Sequence, residues 1–233
     1  MSLTRLDKYL CDGNVGTRSK VKELLKAGRV RVNDTVVKDG SVKINTDSDK
    51  VYFDGRELTV EKLRYFMLNK PAGCVSATKD KLSDTVLDML KGEDTRDLFP
   101  VGRLDKDTEG FLLITNDGEL AHNLLSPKKH VEKKYYVRLN GQISEEAVRK
   151  VEDCIDIGDD KPCLPAKVEV LKEDEVNITI TEGRYHQVKR MFQAVGLEVI
   201  YLKRISMGKL SLDETLAPGE YKKLGKEDIE QIR

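Results

Sequence analysis

The chain has 233 residues, enough to bury a sizeable core in one or two domains. Its 41 basic and 41 acidic residues cancel, so net charge announces no polyanion partner, and no apolar run is long enough to span a membrane. Four scattered cysteines (Cys11, Cys74, Cys154, Cys163) and three histidines (His122, His130, His186) lack metal-ligand spacing; with no signal peptide, this predicts idle thiols in a reducing, cytoplasmic setting and no metal site.

The charge is uneven along the chain. From Met1 to Arg31, eight basic residues stand against three acidic ones, the mark of a polyanion-binding appendage on a neutral whole. Leu3, Leu6 and Leu10 fall at helical spacing and predict a short helix, broken by Asp12-Gly13-Asn14. Thr17 or Ser19 caps a second helix that packs Val21, Leu24 and Leu25 inward, points Lys20, Lys22 and Lys26 elsewhere, and ends at Gly28. Arg29-Val30-Arg31-Val32 alternates as a strand, Asn33-Asp34 turns, and short strands follow at Val36-Val37, Val42 to Ile44 and Val51 to Phe53. The segment is a unit of about sixty residues. Asp54 to Arg64 is polar and irregular, with Glu57 to Leu63 as the linker.

Longer strands come next: Tyr65 to Leu68, then Cys74-Val75-Ser76 after a turn at Asn69 to Gly73, and a short helix from Thr85 to Leu90 capped by Ser83. Val101-Gly102-Arg103-Leu104-Asp105 places Arg103 and Asp105 on one face of an extended segment. Asp107-Thr108-Glu109-Gly110 reads as a turn into a buried strand, Phe111 to Ile114. A compact acidic turn feeding a buried strand is a way to hold a reactive carboxylate in place.

Glu119 to Leu125 predicts a helix stopped by Ser126-Pro127, followed by a basic approach into the aromatic strand Lys133 to Leu139. Tyrosine faces stack bases and lysines attract phosphates, so this suits a nucleic-acid surface. Ser144 caps a helix to Val151, and strands follow at Val168 to Val170 and Val176 to Ile180. Glu182 to Phe192 opens a helix closed by Gly196, with Arg184 and His186 at its mouth and Lys189 and Arg190 early within it: a cradle for phosphate or carboxylate. Leu197 to Leu202 and Leu216 to Tyr221 supply the last strands, and Glu227 to Ile232 a terminal helical turn.

Two family resemblances cover nearly the whole chain. Arg5-Leu6-Asp7-Lys8-Tyr9-Leu10, Thr17-Arg18-Ser19 and Lys26 to Asn33 resemble the alpha-L RNA-binding module of the ribosomal protein S-four type. In that family the basic second helix and the following turn grip RNA, which implies RNA-binding roles for Arg5, Arg18, Lys20, Lys22, Lys26 and Arg29. Arg64 to Pro71, Gly102-Arg103-Leu104-Asp105, Glu132-Lys133-Lys134-Tyr135 and Glu182 to Phe192, with Leu216 to Tyr221 as a weaker echo, together resemble the pseudouridine synthases of the small-subunit ribosomal type. That resemblance implies Asp105 as the catalytic aspartate, Tyr135 as the tyrosine stacked on a flipped base, and Lys189 as the basic partner of the aspartate. It implies Arg103 as an arginine holding the flipped-out state, and Arg184, His186 and Arg190 as RNA contacts.

The reaction asks for such groups on its own terms. It breaks the N1–C1′ bond of uridine, turns the base and joins C5 to C1′; nothing is gained or lost, so no cofactor is expected. A carboxylate must be ionised either to attack C1′ or to take the C2′ proton. A nearby lysine keeps it so, and an aromatic platform offsets the cost of unstacking.

The expectation is therefore an α+β protein: residues 1–60 a small alpha-L RNA-binding domain, residues 61–233 a catalytic domain with a mostly antiparallel mixed sheet flanked by helices. The expected partner is 16S ribosomal RNA in an assembling small-subunit particle, from the likeness of Leu125 to Lys133 to that branch, with the enzyme a monomer. The rivals are the large-subunit (23S) branch and a non-catalytic assembly factor. The second explains residues 1–60 but not Asp105, Tyr135 and Lys189 together. A two-carboxylate glycosidase using Asp105 and Asp107 has no sugar cleft to support it.

Overall fold

A computed structural model describes residues 3–60 and 63–232. The chain separates into two compact units, residues 1–62 and 63–233.

In the first unit, β1 (Leu3–Arg5) pairs antiparallel with β4 (Lys43–Asn45), and α1 (Leu6–Asp12) and α2 (Arg18–Lys26) precede a four-stranded antiparallel sheet. That sheet has the order β3 (Thr35–Val36), β2 (Val30–Val32), β5 (Val51–Phe53), β6 (Arg56–Leu58). Leu6, Leu10, Val21, Leu25, Val30, Ile44 and Val51 form its core. Leu3 shares the helical spacing but lies exposed on β1, where pairing with Asn45 takes its backbone into the ladder. Thr17 accepts from Lys20 N and caps α2. The stretch expected to link the units is partly strand: Asp54 and Gly55, both at positive φ, turn the chain into β6. Glu61 and Lys62 lie outside the described residues.

The second unit is built on one mixed sheet. Its path runs β11 (Lys167–Lys172), β12 (Glu175–Ile180), β10 (Lys133–Leu139), β13 (Val199–Met207), β9 (Glu109–Thr115), β7 (Tyr65–Lys70), β15 (Tyr221–Lys223). β8 (Phe99–Pro100) joins β9 and β14 (Leu210–Ser211) joins β13. Only β13 against β9 is parallel along this path. Alternation along the central strands feeds two cores, one on each face. Phe66, Leu68, Leu112, Ile114, Tyr135 and Val137 face α4 (Glu145–Glu152) and α5 (Gln187–Gln193). Met67, Phe111 and Leu113 face α3 (Gly118–Leu125) and α6 (Lys226–Ile232). No described helix is long and apolar enough to cross a membrane.

Four local expectations fail here. β7 continues through Asn69 and Lys70 instead of turning, because both extend the ladder with Phe111 and Gly110. Cys74 to Ser76 makes only an isolated bridge, Val75 to Thr85, and Thr85 to Leu90 is a run of turns in which Asp88 accepts from the Thr85 amide and hydroxyl. The turn expected to reach Gly110 stops at Thr108, and Glu109 already belongs to β9. Gly110 sits at φ +98°, and a Cβ there would lie 2.2 Å from the Arg204 carbonyl oxygen. Only glycine permits this close parallel approach of β9 to β13.

Candidate active site

Asp105 lies in the loop between β8 and β9, and three neighbours pin that loop from below. The Lys70 side chain, fully buried at the end of β7, donates through Nζ to the carbonyls of Thr108 (2.8 Å), Asp105 (3.0 Å), Pro71 (3.1 Å) and Lys106 (3.3 Å). Burial lowers its pKa, and the nearby carboxylates only partly offset this. The Ser76 hydroxyl donates to Leu104 O (2.8 Å) and accepts from Leu104 N (3.0 Å). Gly73 N donates to Lys106 O (2.7 Å). A loop so held presents its side chains in fixed directions.

Across from this loop stands α5. His186, in the left-handed conformation before the helix, and Lys189 lie three residues apart, so both side chains reach the same place. His186 Nε2 is 3.4 Å from Asp105 Oδ1, and Lys189 Nζ is 3.2 Å from Asp105 Oδ2. Lys189 is shared: its Nζ stands 2.6 and 2.8 Å from the two oxygens of Asp107. Burial works against the Lys189 charge, but the bonds to Asp107 and Asp105 outweigh it and raise the pKa. Asp107 is itself partly desolvated, and its bond to Lys189 lowers its pKa on balance. The sequence treats Asp107 as shaping a turn; the geometry makes it a competitor for the Asp105 lysine.

A pocket opens at this carboxylate. It is lined by Arg103, Leu104, Asp105, Thr108, Lys133, Tyr135, Ile180, Arg184, His186, Val188, Leu202 and Arg204, among others. Tyr135 on β10 is 8% exposed, with Leu104, Ile180, Val188 and Leu202 supplying apolar wall. Arg103 is exposed at the rim and makes no hydrogen bond or ion pair among the described residues. Tyr185 is 77% exposed and stacks on His186 with ring centroids 3.8 Å apart. Among the described residues no cluster of His, Cys, Asp and Glu could hold a metal ion.

Arg184 and Arg190 are engaged inside the protein. Arg184 bonds to Glu182 (3.0 Å) and to the carbonyls of Lys161 and Pro162. Arg190 bonds to Asp159 (2.6 Å) and to the carbonyls of Ile157 and Tyr185. Both guanidinium groups thereby anchor the 157–162 loop beside α5, a positioning role that the reading of them as RNA contacts did not foresee.

Residues 64–194 match the RNA pseudouridylate synthase family, and residues 4–51 match the S4 domain. The chain is 49% identical to an uncharacterized RNA pseudouridine synthase of Bacillus subtilis, over 97% of this chain and 96% of that one. It is 44% identical to ribosomal small subunit pseudouridine synthase A of Vibrio cholerae, over 98% and 99%. A crystal structure of a pseudouridylate synthase superposes with a TM-score of 0.71 at 41% identity, covering 98% of this chain and 99% of that chain. The chain belongs to the RNA pseudouridine synthase family. It is therefore an RNA isomerase carrying an S4 domain.

In this pseudouridine synthase the S4 domain exposes Arg5, Arg18, Lys20, Lys22, Lys26 and Arg29. Some are already paired: Arg5 with Asp7 (2.6 Å), Lys20 with Glu23 (3.1 Å) and Arg29 with Asp54. Exposed pairs of this kind are weak and exchange readily for other anions. Four synthase-domain side chains escaped the sequence reading: Lys70, Thr108, Lys133 and Arg204. The signal for Lys133 was present, since alternation along β10 puts it on the buried side with Tyr135 and Val137. Lys70 showed itself as the one charge ending an apolar strand.

Proposed function

We propose that this pseudouridine synthase converts one uridine of bacterial 16S ribosomal RNA to pseudouridine, with Asp105 as the reacting carboxylate. The observation that carries the chemistry is the convergence of His186 Nε2 and Lys189 Nζ on opposite oxygens of Asp105, beside a pocket walled by Tyr135. Lys189 sets a positive charge against the carboxylate, and His186 Nε2 beside the other oxygen helps fix its orientation. An ionised, fixed carboxylate serves attack at C1′ and removal of the C2′ proton alike. Tyr135 stacks on the extruded base, and Arg103 at the rim helps hold the extruded state. The S4 domain supplies a salt-sensitive grip through Arg18, Lys22, Lys26 and their neighbours. No cofactor enters an isomerisation that conserves every atom of the substrate.

The choice of 16S rests on the relatives named ribosomal small subunit pseudouridine synthase A, at 39–44% identity over nearly the whole chain, and on the Leu125 to Lys133 stretch. The enzyme acts as a monomer in the cytoplasm, on an assembling particle. The test is Asp105→Asn expressed in cells lacking the gene, with ribosomal RNA mapped by carbodiimide-dependent reverse-transcription stops. The expected result is loss of one 16S stop with RNA affinity retained. Full modification by the variant would overturn the role of Asp105, and a lost stop in 23S instead would move the target to the large subunit.

A further inference from the structure

Two cations in the pocket have no part in holding Asp105. Lys133 enters from β10 and Arg204 from β13, and both are buried, at 6% and 3% exposure. Lys133 Nζ donates to Val131 O (2.8 Å) and Arg204 Nε to Phe111 O (2.7 Å). No carboxylate stands within ion-pair reach of either among the described residues. Among the described residues Arg204 Nη2 has no hydrogen-bond partner, and neither has the Thr108 hydroxyl, which is also buried and lines the same pocket.

This arrangement is costly. Two like charges removed from water without a counter-ion destabilise the fold, and a buried donor with no acceptor costs more again. Burial, with Arg204 alongside, pushes the Lys133 pKa down to about 8. The backbone is shaped to produce the arrangement. In the β10–β13 ladder Arg204 lies directly opposite Tyr135, and β13 carries one extra residue, Ile205, before Ser206 opposes Lys134. Such a bulge re-aims side chains next to a site. A base stacked on Tyr135 would present its polar edge to these groups.

Chemistry says what that edge needs. When N1–C1′ breaks, the bonding electron pair leaves with the base, and uracil carries a negative charge shared by N1, O2 and O4. The charge is discharged when C5 bonds to C1′ and the C5 proton is released as N1 takes one up. Donors fixed where charge develops lower the barrier most in a water-poor site. We propose that Lys133 and Arg204 bind a carbonyl oxygen of the target uracil and stabilise the anion that the base becomes between the two bond events. This rests on the pseudouridine-forming reaction assigned to the pocket, and extends it to the leaving base.

The test compares full-length wild type, Lys133→Met and Arg204→Lys in single-turnover reactions on the target RNA carrying either uridine or 5-fluorouridine. Fluorine makes the base a better leaving anion; because its C5 carries no proton to release, the C5-linked base adds water across N1=C6 instead, and this hydrated product is read by mass spectrometry of the digested RNA. On uridine the expected loss of rate is about 100-fold for Lys133→Met and about tenfold for Arg204→Lys, with RNA affinity within about threefold. On 5-fluorouridine both deficits should shrink by about tenfold or more, which a merely structural defect would not produce. Wild-type conversion of the uridine RNA marks the target reading as sound. Equal losses on both bases, or a loss of RNA affinity alone, then overturns the role of this pair without touching Asp105.

Discussion

Lys70→Met probes what holds the Asp105 loop in place. Methionine has nearly the volume of the lysine stem, so the change removes the ammonium without opening a large cavity. Four carbonyls then lose a charged donor. Three of them keep another partner: Asp105 O accepts from Thr108 N (3.1 Å), Lys106 O from Gly73 N (2.7 Å), and Pro71 O from the Cys74 thiol, a weak donor at 3.5 Å. Pro71 O and Thr108 O depend most on Lys70. A buried polar group left unsatisfied costs about 1–3 kcal/mol, so the pair costs roughly 2–6 kcal/mol. Against this, the variant no longer buries a charge whose pKa burial has lowered, which brings the net cost to about 2–4 kcal/mol. At about 2–4 °C per kcal/mol for a domain of this size, Tm should fall by roughly 5–15 °C.

The catalytic effect should be larger than the loss of stability. A carboxylate displaced by about 1 Å loses on the order of 100-fold in rate. Both readouts use purified protein: scanning calorimetry for Tm, and single-turnover pseudouridine formation under folded conditions. A Tm within about 2 °C of wild type, with rate and pH profile unchanged, would refute the idea that the ammonium positions the loop.

Two further outcomes follow from the shared and buried lysines. Asp107→Asn removes the nearer partner of Lys189 and leaves that lysine to Asp105, so the rate should stay within about tenfold of wild type, whereas Asp105→Asn should abolish it. An inactive Asp107→Asn measured in the same single-turnover assay would make Asp107 the reacting carboxylate. The folded-state pKa of about 8 for Lys133 predicts that single-turnover rate falls as pH rises through about 8, because the cation is lost there, and that Lys133→Met shows no such fall. Stability moves the other way: Lys133 folds at a disadvantage while it is charged, and this is relieved between about 8 and the ordinary lysine value near 10.4. Tm rising with pH less steeply in Lys133→Met than in wild type would confirm that sign.

Much of the fold was readable because its signals are local. Thr17, Asp117 and Ser144 cap helices through ordinary side-chain bonds, and alternation marks β10 and β12. The failures fall where tertiary pairing overrides local preference. Leu3 has helical spacing but lies on a strand because β4 offers its backbone a ladder. Asn69, Lys70 and Pro71 look like a turn because each is a poor strand residue, yet β9 holds the first two in register. The Ser83 stretch has a cap and an apolar run, but Asp88 reaches back to Thr85 and closes turns instead of a helix. In the site, Asp105, Tyr135 and Lys189 stood out by type, while Lys133, although inside a quoted motif and on the buried side of its strand, and Arg204 drew no role of their own. What sets them apart is the absence of a counter-charge, which only three-dimensional packing reveals.

On the proposed mechanism, two sets of donors divide the work of one reaction. Lys189 from α5 and His186 just before it meet Asp105, where the proposed reaction needs charge before the bond breaks. Lys133 and Arg204 come from the sheet, where charge would appear only afterwards, on the base. Had all four met the carboxylate, they would have stabilised the resting enzyme and raised the barrier. Gly110 makes the separation possible. By letting β9 approach β13 within backbone contact it brings the Phe111 carbonyl to Arg204 Nε and fixes that guanidinium away from Asp105. The Lys70 clamp holds the loop carrying Asp105 from the other side. On the proposed mechanism, the loop and the sheet thus hold two fixed positions, one for a negative charge kept and one for a negative charge received.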